Sequence, residues 1–185
     1  MNYKQPLKLN LGSGQRNFQK PWINIDCRDQ GYPVDILTDV KDLSMFADNS
    51  VDIIVAHHLL EHIDIGELEQ YIAEWYRVLK SGGKLDIFVP HITKLFEAWK
   101  NKKIDTYIRN VNIFGAYQGF STDLHRWGYD EQELAERVSC INPETKEPKF
   151  KWDEIYYWNG LPKSDYIGAS IASDWWILGL TFVKP

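Results

Sequence analysis

A glycine turn and an acid near the N-terminus have the types and spacing of ligand-binding residues. Alternating apolar residues through Leu11 predict a short buried strand that breaks into a Gly-Ser-Gly turn at 12–14. Glycine has no Cβ, so such a turn lets bare backbone approach a ligand. A second apolar run, residues 22–26, ends on Asp26, where dinucleotide folds place an acid that binds ribose hydroxyls. Asp26 lies closer to the turn than the roughly 20 residues usual there, and Asn17 replaces a third glycine, which argues against NAD and FAD.

A second group of residues has the spacing of a metal site. His58, Glu61 and His62 form H-x-x-E-H, the inverted zinc-peptidase motif. On a helix the two histidines would share a face and bind zinc, and Glu61 would act as the base. The motif directly follows the apolar run at 51–56, which predicts a buried strand, and this context argues against a zinc hydrolase. A histidine of the core explains His62 equally well.

The segment 123–127, Asp-Leu-His-Arg-Trp, is a third candidate. His125 could take a proton from a hydroxyl or amine, because the pKa of histidine lies near neutrality. Arg126 could hold a carboxylate or a phosphate. A buried polar network that ties a loop to the sheet explains the same residues equally well.

Alternating strands and helices determine where these side chains meet. Apolar runs predict strands at residues 8–11, 23–26, 34–37, 51–56 and 85–89. Apolar residues at helical spacing predict helices at 67–80, 92–102, 106–114 and 130–138. The last two strands are expected at 150–158 and 174–183, as an antiparallel pair at the sheet edge. This order predicts a doubly wound, mostly parallel α/β sheet whose strand ends carry the candidate residues.

Composition and charge narrow the class of protein. The chain has 185 residues, which suits one domain. Its formal net charge of -5 argues against broad binding to nucleic-acid backbones, which needs a basic surface. No apolar run approaches the ~20 residues of a membrane span, and the N-terminus lacks an apolar secretory core. Because Cys27 and Cys140 form no disulfide framework either, we expect a cytoplasmic protein.

Five motifs in order resemble those of class I S-adenosylmethionine-dependent methyltransferases. They read LNLGSG, NIDCR, DILTDVKDL, FADNSVDIIVAHHLLEHI and EWYRVLKSGGKLDIFVP. The likeness is to a small bacterial and phage branch known as methyltransferase type 11. It runs from residue 7 to residue 90 and reappears at DLHRWGYDEQEL. The resemblance implies one Rossmann-like domain, 1–185, with an antiparallel last strand. Residues 7–90 would form its cofactor-binding half, and residues 91–185 the acceptor side with the final strands.

The resemblance also implies roles for individual residues. Asp26 would accept hydrogen bonds from both ribose hydroxyls of S-adenosylmethionine, and Asp39 one from the adenine amino group, with Asp42 as an alternative to Asp39. The expected cofactor residues are Leu11, Gly12, Ser13, Gly14, Asp26, Cys27, Asp39, Val40, His57 and His58. The expected catalytic residues are His125 and His58, and no metal ligand is expected.

The implied reaction is transfer of the sulfonium methyl group to an acceptor, which leaves S-adenosylhomocysteine. The protein would orient the two centres, exclude water and, for a hydroxyl acceptor, supply one base. Because genes of this branch often lie among those for surface saccharides, a sugar hydroxyl is the first expected acceptor, with other small molecules open. Two alternatives remain: a module that binds S-adenosylmethionine without transferring methyl, and a zinc hydrolase that uses His58, Glu61 and His62.

Overall fold

The computed structural model describes residues 6–14, 20–29, 31–142, 144–157 and 176–185, with the backbone alone for 155–157. These residues form a seven-stranded sheet flanked by helices. Its strands are β1 (Lys8–Leu11), β2 (Ile23–Asp26), β3 (Ile36–Leu37), β4 (Val51–His57), β5 (Leu79–Pro90), β6 (Ile155–Tyr157) and β7 (Ile177–Val183). The helices are α1 (Leu68–Val78), α2 (Ile92–Lys100), α3 (Thr106–Phe114) and α4 (Glu131–Ser139). Single 3₁₀ turns lie at Leu60–His62 and Ser121–Asp123.

The sheet has the strand order β3-β2-β1-β4-β5-β7-β6. Its first five strands pair in parallel, and β7 runs antiparallel to both β5 and β6. The predicted doubly wound, mostly parallel sheet with an antiparallel last strand is thereby confirmed. Leu11 at the end of β1 pairs with Ile25 of β2 and with Ala56 of β4. The carboxyl ends of these three strands therefore meet at one edge, where such sheets bind ligands.

The central strands are covered on both faces. Leu9, Ile54 and Leu85 have no exposed surface, as expected for near-continuous apolar runs in a parallel sheet. Helix α1 packs through the fully buried Trp75, whose Nε1 donates to the carbonyl of Val40 at 2.9 Å. This bond fixes the loop after β3 against the same helix.

Helix α1 ends earlier than the periodicity predicts. A helix to residue 80 with a glycine cap is expected from the sequence, but Leu79 is already extended and pairs with Val51. Gly82, with φ +74°, lies inside β5 instead. The Lys184 Nζ donates to the carbonyls of Tyr76 and Leu79, at 2.8 and 2.7 Å. A distant lysine thus satisfies the carbonyls that a glycine cap would otherwise serve.

Two expectations are not tested by these elements. The short connection expected between β1 and β2 falls mostly on residues 15–19, which lie outside the described residues. The division into a cofactor half and an acceptor half stays a prediction. In the part of the chain that the structure describes, no helix has the length and apolar character needed to cross a membrane.

Candidate active site

The turn after β1 depends on its glycines. Gly12 and Gly14 have φ values of +62° and +51°, the left-handed region that disfavours other residues. A Cβ on Gly12 would lie 2.8 Å from Cδ1 of Leu59, whereas one on Gly14 would meet no atom of the described residues within 4 Å. Between them, the buried Ser13 donates its N–H to the carbonyl of Ile25 at 3.1 Å. The turn is therefore held on one side and open on the other, which leaves room for a ligand beside Gly14.

Asp26, the last residue of β2, accepts a hydrogen bond from the glycine turn. Its side chain is 6% exposed, and Oδ2 accepts the Gly14 N–H at 2.9 Å while Oδ1 accepts the Arg28 N–H at 3.0 Å. Each carboxylate oxygen has two lone pairs, so both can accept a second hydrogen bond. The carboxylate that the sequence predicts to bind ribose is thus buried beside the glycine turn, and its role in binding ribose stays a prediction.

Asp39, Val40 and Cys27 lie on the same side of the sheet as Asp26. Asp39 is exposed, and its Oδ2 accepts the Tyr71 hydroxyl at 3.3 Å, while Val40 is buried beneath it. Partial burial of the Cys27 thiol, with help from the carboxylates of Asp26 and Asp39, raises its pKa, so the thiol stays protonated. The role of these three residues beside the adenine stays a prediction.

The side chain of Asp42, the alternative to Asp39, makes its hydrogen bond within the turn that follows it. It accepts the N–H of Ser44 at 3.0 Å, and this hydrogen bond lowers the pKa of Asp42. The geometry favours Asp39 as the adenine partner.

Two adjacent histidines follow the end of β4. His57 is buried, and burial lowers its pKa to about 3, so it is neutral. His58 has φ +50°, an uncommon backbone for a non-glycine residue that costs about 1–2 kcal/mol. Its Nδ1 lies 2.8 Å from Oε1 of Glu61 and must donate, because an ionised carboxylate only accepts. The side chain of His58 is 30% exposed.

A pocket lies beside the turn Leu60–His62 at the carboxyl end of β5. Helices α2 and α3 and the segment 125–128 complete its walls. The lining residues are Glu61, Pro90, Ile92, Leu95, Asn112, Ile113, His125, Trp127 and Gly128. Most of the wall is apolar, so the few polar side chains in it determine what can bind there.

His125 is fixed in this wall by its own backbone and ring. Its N–H donates to the carbonyl of Phe114 at 3.1 Å, and its Nδ1 donates to the carbonyl of Asn112 at 2.9 Å. Nε2 is therefore the unprotonated nitrogen, and burial lowers the pKa of the ring. The next two residues donate their backbone N–H groups to the carbonyl of Glu61, at 2.6 and 3.3 Å. The segment therefore forms a polar network that ties the loop to the turn after β4, and the candidate residue His125 is part of that network.

Glu61 is the charged centre of this region. Its side chain is 1% exposed, and Oε2 makes no hydrogen bond to any residue that the structure describes. Burial would raise the pKa of Glu61, but the hydrogen bond from His58 and the imidazoles of His62 and His125 lower it to about 2. An ionised carboxylate therefore lies at the floor of the pocket.

The H-x-x-E-H motif does not adopt its zinc-peptidase geometry. It lies on a 3₁₀ turn rather than a helix, and His58 bonds to Glu61 instead of sharing a face with His62. The ring that packs against His62 is that of His125, at 4.6 Å between centroids. The helical geometry proposed for a zinc hydrolase is wrong for this chain, because β4 continues through His57 and His58 then turns left-handed.

An ion pair that the sequence analysis missed joins the two sides of the site. Arg28 Nη1 lies 2.6 Å from Oδ1 of Asp123, whose side chain is 9% exposed. Asp123 also accepts the N–H groups of Gln118 and Phe120, at 2.7 and 3.1 Å. These residues carry no spacing signal, because Arg28 and Asp123 are 95 positions apart.

Comparison with known proteins agrees with this geometry. Residues 13–87 match the family described as a methyltransferase domain. No curated protein is significantly similar to the chain in sequence.

Several solved structures share the fold across nearly the whole chain. A SAM-dependent methyltransferase from Methanosarcina mazei is 17% identical, with a TM-score of 0.56 over 98% of this chain and 92% of that one. One from Archaeoglobus fulgidus is 15% identical, with a TM-score of 0.61 over 98% and 87%. Burkholderia thailandensis 1,6-didemethyltoxoflavin-N1-methyltransferase, solved with 1,6-didemethyltoxoflavin and S-adenosylhomocysteine, is 15% identical, with a TM-score of 0.52 over 97% and 72%. At these identities the likeness establishes the fold alone.

The matched residues include Ser13 and Gly14 of the glycine turn, Asp26, Asp39 and the end of β4. The chain thus has the fold of class I S-adenosylmethionine-dependent methyltransferases, and its residues 13–87 match a methyltransferase domain.

Proposed function

We propose that the chain transfers a methyl group from S-adenosylmethionine to a hydroxyl group of a small molecule, with a sugar hydroxyl as the first acceptor class to test. The observation that carries the proposal is the pocket at the end of β5, where Glu61, His125 and Asn112 lie in a mostly apolar wall. It lies beside His58, which itself follows the strand end that borders the cofactor slot. The acceptor in the pocket and the cofactor in its slot would then come together beside His58.

The cofactor would lie along the carboxyl ends of β1, β2 and β4. When bound, it supplies a methyl group that its sulfonium already makes electrophilic. Leu11, Gly12, Ser13 and Gly14 would face the amino-acid portion, and Asp26 the ribose hydroxyls. Cys27, Asp39 and Val40 would line the adenine, and His57 and His58 the methionine side.

The two histidines near the pocket favour a hydroxyl acceptor, because such an acceptor needs a base to take its proton. The acceptor oxygen bonds to the methyl carbon as the carbon–sulfur bond breaks, with its electron pair kept by sulfur. The hydroxyl proton needs an imidazole, and His58 and His125 each direct Nδ1–H to an oxygen and keep Nε2 free to accept it. Positioning and exclusion of water would supply the rest of the rate.

The pocket is lined by an aromatic ring and polar side chains, the two kinds of group that bind a saccharide. Trp127 lines the pocket, and its Nε1 donates to Glu133 at 2.9 Å. Arg137 lies over one face of the ring, 5.6 Å from its centroid, so a sugar would pack on the other face. Asn112 and Glu61 supply polar atoms beside it. The Burkholderia neighbour carries a small-molecule acceptor in its crystal, which supports an acceptor of similar scale.

The test is a panel of sugars, phenols and amines incubated with the protein and S-adenosylmethionine, with methylated products detected by mass spectrometry. We expect products on hydroxyl oxygens and a strong loss of turnover in His125→Ala, with unchanged S-adenosylhomocysteine affinity. Transfer confined to amines would contradict the hydroxyl assignment. Tight S-adenosylhomocysteine binding with no transfer to any member would favour a module that binds without turnover.

A further inference from the structure

We propose that Glu61, His62 and His125 bind one divalent transition-metal ion, such as Zn²⁺, at the floor of the acceptor pocket. The proposed role, to bind and acidify the acceptor hydroxyl, rests on the proposed function. The existence of the site does not.

The three side chains converge from two distant parts of the chain. One ligand atom from each lies within 4.8 Å of the other two. Glu61 and His62 come from the 3₁₀ turn after β4, and His125 is held there by the two backbone N–H groups that the Glu61 carbonyl accepts. Two imidazoles and one carboxylate form the ligand set of many catalytic zinc sites and of non-haem iron sites.

Two buried polar atoms of the cluster have no hydrogen-bond partner among the described residues. Glu61 Oε2 and His62 Nδ1 are buried and make no hydrogen bond to any described residue. An unpartnered buried carboxylate oxygen is costly and calls for a ligand. Because Glu61 is 1% exposed and lines the pocket, a ligand would reach its Oε2 from the pocket.

His125 is already oriented as a metal ligand. Its Nδ1–H donates to the carbonyl of Asn112 at 2.9 Å, which leaves Nε2 free, and metal-bound histidines nearly always make this second hydrogen bond. His58 holds the other oxygen of Glu61 in the same way, at 2.8 Å.

The metal would draw these side chains together. Bonds of about 2.0–2.1 Å around a tetrahedral zinc ion place its ligand atoms about 3.4 Å apart, closer than the 4.8 Å limit here. Small rotations of His62 and Glu61 would close that gap. Three protein ligands leave an open position, which faces the pocket.

That open position is where an acceptor hydroxyl would bind. The cation lowers the pKa of a bound hydroxyl, as it does that of bound water. With His125 engaged as a ligand, the hydroxyl proton would be released to solvent. The acceptor oxygen takes the methyl carbon as the carbon–sulfur bond breaks, so the products are methyl ether, S-adenosylhomocysteine and one proton.

The first experiment measures the site without turnover. Chelator-treated protein is titrated with Zn²⁺ by calorimetry and with Co²⁺ by visible absorption, which distinguishes nitrogen and oxygen ligands from thiolates. We expect one ion per chain, weakened at least tenfold in His62→Gln and in Glu61→Gln, and unchanged in His91→Gln, a histidine outside the cluster. Thermal melts of the metal-free variants check that each is folded. No saturable binding by wild-type protein, or equal binding by folded His62→Gln and wild type, would overturn the site.

The second experiment tests the role. With an acceptor found in the panel, turnover is compared in metal-free and in reconstituted protein. At least a tenfold gain on reconstitution supports the role, and equal rates would overturn it while the methyltransferase proposal stands. A bound ion without transfer to any acceptor would instead refute the proposed function and leave the metal site in place.

Discussion

Replacement of Asp26 tests the assignment of the ribose site. In the structure its two oxygens accept the N–H groups of Gly14 and Arg28, at 2.9 and 3.0 Å, and each retains a lone pair for a ribose hydroxyl. Loss of hydrogen bonds to a charged carboxylate costs about 1.5–3 kcal/mol. Because 1.4 kcal/mol corresponds to a factor of ten, Asp26→Ala should weaken S-adenosylhomocysteine binding roughly 10- to 150-fold.

Titration calorimetry with S-adenosylhomocysteine measures this loss directly. Asp26→Asn keeps the side-chain volume, so it separates the effect of losing the charge from the effect of disturbing the glycine turn. Thermal melts confirm that both variants are folded. The matched control is Asp29→Ala, an exposed acid whose carboxylate accepts only the Gly31 N–H among the hydrogen bonds described. Its affinity should stay within about twofold of wild type. Equal affinity of folded Asp26→Ala and wild type would refute the ribose assignment.

Three further predictions follow from the same geometry. Gly12→Ala places a Cβ 2.8 Å from Cδ1 of Leu59 at a φ of +62°, so its free energy of unfolding should fall by at least about 1–2 kcal/mol in urea titrations. The control Gly14→Ala meets no atom of the described residues within 4 Å and should lose less; equal losses would refute the role of the Leu59 contact. His125 must be neutral whether it accepts a proton or binds a metal, and burial lowers its pKa. Turnover should therefore be full at neutral pH and fall only below about pH 6.5, and a midpoint above that value would contradict this reasoning. Arg28→Ala removes the ion pair to the acceptor-side segment, so limited proteolysis within residues 115–124 should be about fivefold faster, the effect of about 1 kcal/mol in local opening; unchanged cleavage would refute this role.

Features encoded by neighbouring residues could be predicted from the sequence. The alternation through Leu11 and the Gly-Ser-Gly turn predict a strand end and a close backbone approach, and the structure has both. Asp130 as the N-cap of α4 is a second case, since its side chain accepts the Glu133 N–H at 2.9 Å as a capping residue does. The alternation of strands and helices was sufficient to predict the parallel sheet.

Features that depend on distant residues could not be predicted. The end of α1 is determined by Lys184, which reaches back to its last carbonyls from the far end of the chain. His125 was identified as a candidate, but nothing in its spacing places its ring against His62. Glu61 could be found only as part of a zinc motif, because its burial beside the pocket depends on tertiary packing.

The most direct test of the account is a crystal structure with S-adenosylhomocysteine bound. We expect the ribose hydroxyls to hydrogen-bond to Asp26, the adenine to lie beside Asp39 and Val40, and the sulfur to face the pocket that Glu61 and His125 line. A nucleoside bound away from the Gly12–Gly14 turn, or a sulfur that faces away from that pocket, would contradict it.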